Sequence, residues 1–205
     1  MVNYSNCDKP DKTGIILMAA QKRFAHYGLI KTSMNDIALD IGMSKASLYY
    51  YFADKEAIFQ EVIKKEQKEF INHVKKIMSE EVNASALLIS YVKKRLAYFQ
   101  VFINISKLNS DTLKSVKPIF AQLSQKFNEE EISLVKNILK RGIKSGEFEK
   151  INEREYAKLF VSLIQSLRSN LILKKDMDNL DKKDFQILEK QFINVAKIFS
   201  KGIKK

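Results

Sequence analysis

Hydroxyl, ammonium and phenol groups are concentrated in one short stretch of the sequence. Hydroxyls and free backbone N–H groups at a helix start suit phosphate oxygens. Thr32 and Ser33 stand at one such start, and Ser44 with Ser47 at another. The neighbouring Lys45 either neutralises a phosphate, which we favour, or donates to the O6 and N7 acceptors of guanine. These residue types indicate contacts with a nucleic acid.

Two short helices must position these side chains. Ser33 caps the first, and Asp36 three residues later completes a capping box. Gly42 follows that helix at a sharp turn, where glycine adopts a left-handed backbone without steric cost. Ser44 caps the second helix, residues 45–51. The spacing predicts a helix-turn-helix unit, in which the second helix enters the DNA major groove.

The second helix presents different residues on its two sides. Leu48 and Tyr51 are three residues apart and face inward. Consecutive helical residues point about 100° apart, so Tyr49 and Tyr50 are left facing outward. Ala46 offers a methyl group that suits close approach to DNA or contact with a thymine methyl. The two outward tyrosines are the sharpest candidates for DNA contact.

Two short helices joined by glycine also occur in helical proteins that bind no DNA, so the flanking residues decide the interpretation. Upstream, an Ile-Leu-Met-Ala-Ala run begins at Ile16 and leads to Gly28. Downstream, Phe52 precedes a Lys-Glu pair that begins at Lys55. With the motif between them, these residues resemble the N-terminal domain of the TetR family of bacterial transcription regulators over about residues 12–63.

The resemblance implies that residues of the second helix touch DNA backbone or bases and that Lys55 contacts a phosphate. One departure is Ala46, where many members carry glycine. Alanine favours a helix by about 1 kcal/mol over glycine, so it stiffens the recognition helix. The candidate DNA contacts are Thr32, Ser33, Ser44, Lys45, Ala46, Ser47, Tyr49, Tyr50 and Lys55.

The net charge of +12 lies mostly outside this motif. Residues 1–80 hold 12 Lys and Arg against 10 Asp and Glu, whereas residues 81–205 hold 24 against 14. We interpret the surplus first as a solvated helix surface. An acidic ligand and non-specific attraction to DNA are the alternatives. The DNA assignment therefore rests on the motif rather than on basic composition.

The whole chain is patterned as helices, with six glycines, two prolines and no alternating strand pattern. An all-α fold is predicted, with a small three-helix DNA-binding domain in residues 1–54 and a larger helical ligand-binding and dimerisation domain in residues 55–205. A helix over about residues 55–79 spans roughly 35 Å and links the two domains. A break with a short helix is predicted at residues 109–118. A helix start is predicted at Asn128, where three acids follow.

Beyond the matched residues, the resemblance implies a ligand cavity in the C-terminal domain. Tyr91, Arg95, Tyr98 and Phe102 share one side of a helix and are the candidate lining, with Arg95 available to an acidic group. Ordinary core aromatics with an exposed arginine are the alternative. The ligand is expected to be an unidentified apolar or anionic small molecule.

The resemblance also implies a homodimer held mainly by the last two long helices, here about residues 153–173 and 182–200. Such apolar stripes more often belong to the core of a single chain, but the regular three- and four-residue spacing of the last helix suits helix-to-helix packing, and we favour the interface. The candidate interface residues are Leu163, Leu167, Phe185, Leu188, Phe192, Val195 and Phe199.

The sequence contains no pattern that predicts catalysis or membrane insertion. Two isolated histidines, one cysteine and no glycine-rich loop leave no basis for an enzyme, a metal site or a cofactor. No apolar run approaches the roughly 20 residues of a membrane span, and no membrane partner is expected. Cys7 alone excludes an intramolecular disulfide, so a cytoplasmic setting is expected.

The leading hypothesis is a homodimeric, ligand-responsive DNA-binding transcription regulator. It would act as a repressor that a small molecule releases from a palindromic operator in double-stranded DNA. The alternative is a regulator-fold protein that a protein partner controls, or an architectural DNA binder without a small inducer.

Overall fold

A computed structural model describes residues 11–81, 83–106, 110–175 and 180–205, with the side chains of 104–120 and 122 excepted; Cys7 lies outside these ranges. The described residues are almost entirely helical, which confirms the predicted all-α fold. None of the described helices combines the length and the apolar character that a membrane crossing requires. The helices are α1 Lys12–Tyr27, α2 Met34–Asp40, α3 Lys45–Tyr51, α4 Lys55–Glu80, α5 Ala84–Ser106, α6 Ser110–Lys144, α7 Glu153–Lys174 and α8 Lys182–Gly202.

Helix starts follow the predicted capping residues. The Asp54 side chain accepts a hydrogen bond from the Ala57 backbone N–H at the start of α4. Asp181 opens α8 with a complete capping box, in which Asp184 makes the reciprocal bond. Asn152 caps α7 with a single hydrogen bond, which its side chain accepts from the Glu155 backbone N–H. Because each cap satisfies N–H groups that have no partner within the helix, local sequence alone fixes these boundaries.

The predicted break and the predicted helix start at Asn128 are wrong for the described residues. Helix α6 runs without interruption from Ser110 through Asn128 to Lys144; residues 107–109 lie outside the described part. Contacts between helices explain the difference. The Asn128 side-chain oxygen accepts a hydrogen bond from Gln165 on α7, and Glu131 pairs with Arg95 on α5. Polar residues that resemble a helix start therefore serve tertiary contacts within one long helix.

Two hydrophobic clusters form the interior of the part of the chain that the structure describes. The first joins α1, α2 and α3 to the beginning of α4, where Ile58 and Phe59 are buried. The second joins α5 to α8 with the later part of α4, where Phe70 and Val74 are buried. Helix α4 thus belongs to both clusters, and α5 also packs against α1. The division of the chain at residues 54 and 55 stays a prediction.

Candidate nucleic-acid interface

The turn between α2 and α3 is built as the spacing predicts. The Ser33 backbone N–H donates to Asp36 over 2.9 Å, and the Asp36 N–H donates to the Ser33 hydroxyl over 3.2 Å. Gly42 has φ +65° with open space around its Cα, so the backbone conformation, not crowding, favours glycine there. Leu48 is fully buried and anchors α3 in the first cluster. The two helices therefore keep a fixed relative orientation.

An ion pair between α1 and α2 adds to this orientation. Arg23 donates to both carboxylate oxygens of Asp40, over 2.6 and 2.7 Å. Its guanidinium also lies 3.6 Å from Asp36. The hydrogen bond from Arg23 lowers the pKa of Asp40, and the bond to Asp40 raises the pKa of Arg23. Sequence reasoning missed this contact, because nothing in the local spacing relates two residues on different helices.

The outer face of α3 is open to solvent. Tyr50 is 86% exposed and Tyr49 is 46% exposed, although both are large aromatic residues. The Lys45 ammonium lies 5.8 Å from the centre of the Tyr49 ring, within range of a cation–π interaction. Ala46 and Ser47 are exposed beside them. This face can therefore approach another molecule without rearrangement of the core.

Ser44 is exposed, but its hydroxyl already has partners. It accepts the Ser47 backbone N–H over 3.1 Å and lies 2.8 Å from the Ser47 hydroxyl. Either hydroxyl can donate in that second contact. The free backbone N–H groups at the start of α3 stay beside this pair, where they suit an anion.

Two of the predicted contact residues have internal partners. Thr32 is buried, and its hydroxyl donates to the Gly28 carbonyl over 2.8 Å. The Lys55 ammonium donates to three backbone carbonyls, those of Leu29, Ile30 and Thr32, over 2.9, 3.2 and 3.0 Å. The Thr32 hydroxyl is thus bonded within the protein, and its contact with DNA stays a prediction. Both side chains close the loop between α1 and α2, which positions the start of α2.

A surface cleft brings together five of the nine predicted contact residues, whereas Ser44, Ala46, Ser47 and Tyr50 are not part of its lining. It has a volume of about 440 Å³ and is lined by Ser33, Lys45, Tyr49 and Lys55 among others. Its wall also contains Lys31, together with two acids near the start of α4. Helix starts and ammonium groups around one concave surface suit the phosphate backbone of a nucleic acid.

Two of the predicted ligand-lining residues of α5, Tyr91 and Arg95, are buried and already paired. The Tyr91 hydroxyl donates to Glu131 Oε1 over 2.8 Å, and Arg95 Nε donates to the same oxygen over 2.5 Å. Burial and the Glu131 charge raise the pKa of Tyr91 well above its ordinary value. Arg95 is therefore buried and engaged by Glu131, and it is not the exposed arginine of the alternative. Its role in ligand binding stays a prediction.

The other two α5 residues point to different clusters. Tyr98 is almost completely buried, which raises its pKa to about 12. Phe102 is half-buried and packs against the first cluster, at the junction of α5 with α1. Sequence reasoning missed Glu131 and Arg168, which share the buried site with Arg95. One sequence feature could have indicated Arg168. It lies four residues after Ile164, so this charged residue falls on the apolar stripe of its helix.

The predicted interface residues differ in their exposure. Leu188 and Phe192 are 1% and 2% exposed within a single chain and pack in the second cluster, and their place in a dimer interface stays a prediction. Leu163 is 40% exposed on α7. The remaining members are half-buried and pack against the second cluster, namely Leu167, Phe185, Val195 and Phe199.

Known proteins share both the motif and the whole fold. The family model of bacterial regulatory proteins, tetR family, matches residues 16–62. A transcriptional regulator from Cytophaga hutchinsonii ATCC 33406 is 44% identical, with a TM-score of 0.89, and the match covers 95% of this chain and 99% of that chain. A TetR transcription regulator from Haloarcula marismortui ATCC 43049 is 17% identical with a TM-score of 0.71, over 95% and 99% of the chains, and shares the fold.

A curated relative extends the similarity beyond the motif. The fatty acid metabolism regulator protein of Bacillus subtilis strain 168 is 27% identical over 135 residues, which are 64% of this chain and 68% of that protein. The family match falls on the capped α2–α3 unit, and the likeness to the Cytophaga regulator spans nearly the full length. The chain belongs to the TetR family of helix-turn-helix transcription regulators, which bind DNA.

Proposed function

We propose that the chain is a homodimeric repressor that a small molecule releases from a palindromic operator. The observation that carries this proposal is the outer face of α3, where Lys45, Tyr49 and Tyr50 are exposed on a helix that Leu48 fixes to the core. A rigid short helix with polar groups directed away from its own domain suits insertion into the major groove.

In this proposal, the helix starts contact the DNA backbone and the α3 face contacts bases. Ser33 and the backbone N–H groups of α2 meet one phosphate, and Lys45 neutralises another. Ala46, Ser47 and Tyr50 lie closest to the base edges. Ser44, Tyr49 and Lys55 border the same face, whereas Thr32 acts by closing the preceding loop. Phosphate contacts set the register, and the residues at the bases supply sequence preference.

A second copy of the chain is proposed to pack against α7 and α8. Both helices carry large apolar residues on their solvent side: Leu159 and Leu163 on α7, and Ile187 and Ile198 on α8, each 40% exposed or more. Burying such residues between chains is favourable by about 25 cal/mol per Å² of apolar surface. Two α3 helices would then lie about one turn of DNA, roughly 34 Å, or a multiple of it apart.

We propose that α4 and α5, which contact both clusters, couple ligand binding in the second cluster to the release of DNA. Gln21 on α1 donates to Glu66 on α4 over 2.5 Å, and Phe102 on α5 packs against the first cluster. A ligand that separates α5 from its neighbours in the second cluster would shift these contacts and the spacing of the two α3 helices. The ligand would act by favouring the conformation that fits the operator less well.

The test combines DNA binding with mass. Purified protein is titrated onto a labelled fragment from upstream of its own gene, and light scattering measures the mass of the free protein. We expect saturable, salt-dependent binding that unrelated DNA competes poorly, and the mass of two chains. Absence of preference for the upstream fragment, or the mass of a single chain at binding concentrations, would contradict the proposal.

A further inference from the structure

The second cluster holds one buried and one partly buried guanidinium group close to one carboxylate. Arg95 and Glu131 are 4% and 1% exposed, and Arg168 from α7 is partly buried beside them, with its Nε atom out of contact with solvent. The Arg168 guanidinium carbon lies 5.5 Å from the centre of the Phe99 ring. We refer to Arg95, Arg168 and Glu131 as the buried charge cluster. Its formal charge is +1, because the two arginines face a single acid.

The hydrogen bonds within the buried charge cluster leave Arg168 unsatisfied at one atom. Glu131 Oε1 receives both the Arg95 Nε–H and the Tyr91 hydroxyl, while Arg168 Nε and Glu131 Oε2 have no hydrogen-bond partner in the described structure. Burial, with the neighbouring charge of Arg95, lowers the pKa of Arg168 to about 10. Both observations indicate a guanidinium whose positive charge the surrounding protein compensates incompletely.

A buried charge is costly unless an opposite charge meets it. A bridging water can supply hydrogen bonds to Arg168 Nε and Glu131 Oε2, but it leaves the charge of +1 in place. An anionic group on a ligand supplies both an acceptor and the missing charge. The neighbouring side chains are aromatic, since Arg168 lies over Phe99 and Arg95 over Tyr98 and Phe127, so an apolar body suits the rest of that ligand.

We propose that the effector is a small carboxylic acid in its anionic form, whose carboxylate pairs with Arg168 while its apolar body lies among the aromatic rings of the second cluster. This inference rests on the proposed function, because it names the chemistry of the molecule that releases DNA. Binding would part α7 from α5, the helix that also packs against α1. Occupation of the buried charge cluster is thereby coupled to the DNA-binding helices.

The experiment compares acids with neutral molecules of the same shape. Sodium decanoate and sodium phenylacetate are the anionic probes, and 1-decanol and 2-phenylethanol are their uncharged counterparts. The full-length protein is assayed for its Tm and for release of the upstream DNA fragment. We expect at least one acid, at about 100 times its Kd, to raise the Tm by about 5–10 °C and to release DNA. Neither alcohol should match its acid.

Three variants connect the effect to one residue. Arg168→Met removes the charge and should weaken binding of the acid about tenfold or more. Arg168→Lys keeps a charge and should retain the preference for acid over alcohol. Arg154→Met removes an exposed arginine from the same helix and should bind like the natural chain. Without any ligand, Arg168→Met should melt at a higher temperature than the natural chain, because an incompletely compensated buried charge is gone; a purely structural role predicts a lower Tm.

The outcomes separate this inference from the function on which it rests. If the chain shows no preference for its upstream DNA in the absence of any probe, the proposed function fails. If it binds DNA but neither acid shifts the Tm, or acid and alcohol act equally, the inference fails alone. Equal binding of the acid by the natural chain and by Arg168→Met also overturns it. If Arg168→Met does not fold, the inference is tested by comparing acids with alcohols on the natural chain and on Arg168→Lys. It stands if both chains prefer the acid and fails if neither does.

Discussion

Replacing both Lys45 and Tyr50 by alanine should abolish operator binding while the fold is retained. Tyr50 is 86% exposed and Lys45 is exposed on the same helix, so neither side chain supports the core. Substitutions at such positions change stability by about 0.5 kcal/mol or less. If each side chain contributes about 1 kcal/mol per chain at the DNA, a dimer loses about 4 kcal/mol, or nearly a thousandfold in affinity.

The salt dependence provides an independent measure of the Lys45 contact. Each neutralised phosphate contributes about 0.9 to the slope of log affinity against log salt, so Lys45→Ala should lower the slope of a dimer by about 1.8. Between about 50 and 200 mM salt, the natural chain should then lose about twelvefold more affinity than the single variant. Fluorescence anisotropy at several salt concentrations measures both numbers, and urea denaturation checks stability.

Lys68→Ala is the matched control, since it removes an exposed lysine from α4, away from the α3 face. It should keep the affinity of the natural chain. A double variant at Lys45 and Tyr50 that binds the operator within about tenfold of the natural chain would refute the assignment of the α3 face. Equal salt slopes for Lys45→Ala and the natural chain would refute the phosphate contact alone.

Three further predictions concern the capping box, the α1–α2 ion pair and the dimer. Ser33→Ala should lower the free energy of unfolding by about 1 kcal/mol in urea denaturation, through loss of the α2 cap; unchanged stability would contradict the role of the cap. The pKa of Asp40 is below its ordinary value of 3.8, so the pair with Arg23 stabilises the fold above about pH 4, and this contribution is lost as the pH falls through the lower folded pKa. Asp40→Asn should therefore lower the free energy of unfolding by about 0.5 kcal/mol at pH 7, a value reduced for solvent screening. The difference from the natural chain should disappear toward pH 2. A difference that does not change with pH would exclude the charge of Asp40 as its cause. Leu163→Glu combined with Ile187→Glu should halve the mass in light scattering with an unchanged helical circular dichroism spectrum, and a persistent dimer would place the interface elsewhere.

Local chemistry made the helix-turn-helix predictable from the sequence. A capping box needs only Ser33 and Asp36 at the right separation, and the turn needs only Gly42 with its left-handed backbone. The exposure of Tyr49 and Tyr50 followed from helical geometry around an inward Leu48. Each of these inferences depends on residues within a few positions of one another, where backbone geometry leaves few arrangements.

Contacts between distant helices were the part that could not be predicted. The pairs Arg23–Asp40 and Arg95–Glu131 depend on which helix faces lie together, and one sequence carries little information about that. Asn128 illustrates the resulting error: its type favours a helix start, but a partner on α7 keeps it inside α6. The apolar stripe of α8 was ambiguous for the same reason, because a stripe does not show whether its partner is the same chain or another.

Binding to the chain's own upstream DNA is the measurement that tests the central claim most directly. A labelled upstream fragment is titrated with purified protein in the presence of excess unrelated DNA, and the mass of the complex is determined. We predict a saturable complex with two chains per palindromic site, which the Lys45 and Tyr50 double variant does not form. Binding that unrelated DNA competes equally well, or that the double variant retains, would contradict the account.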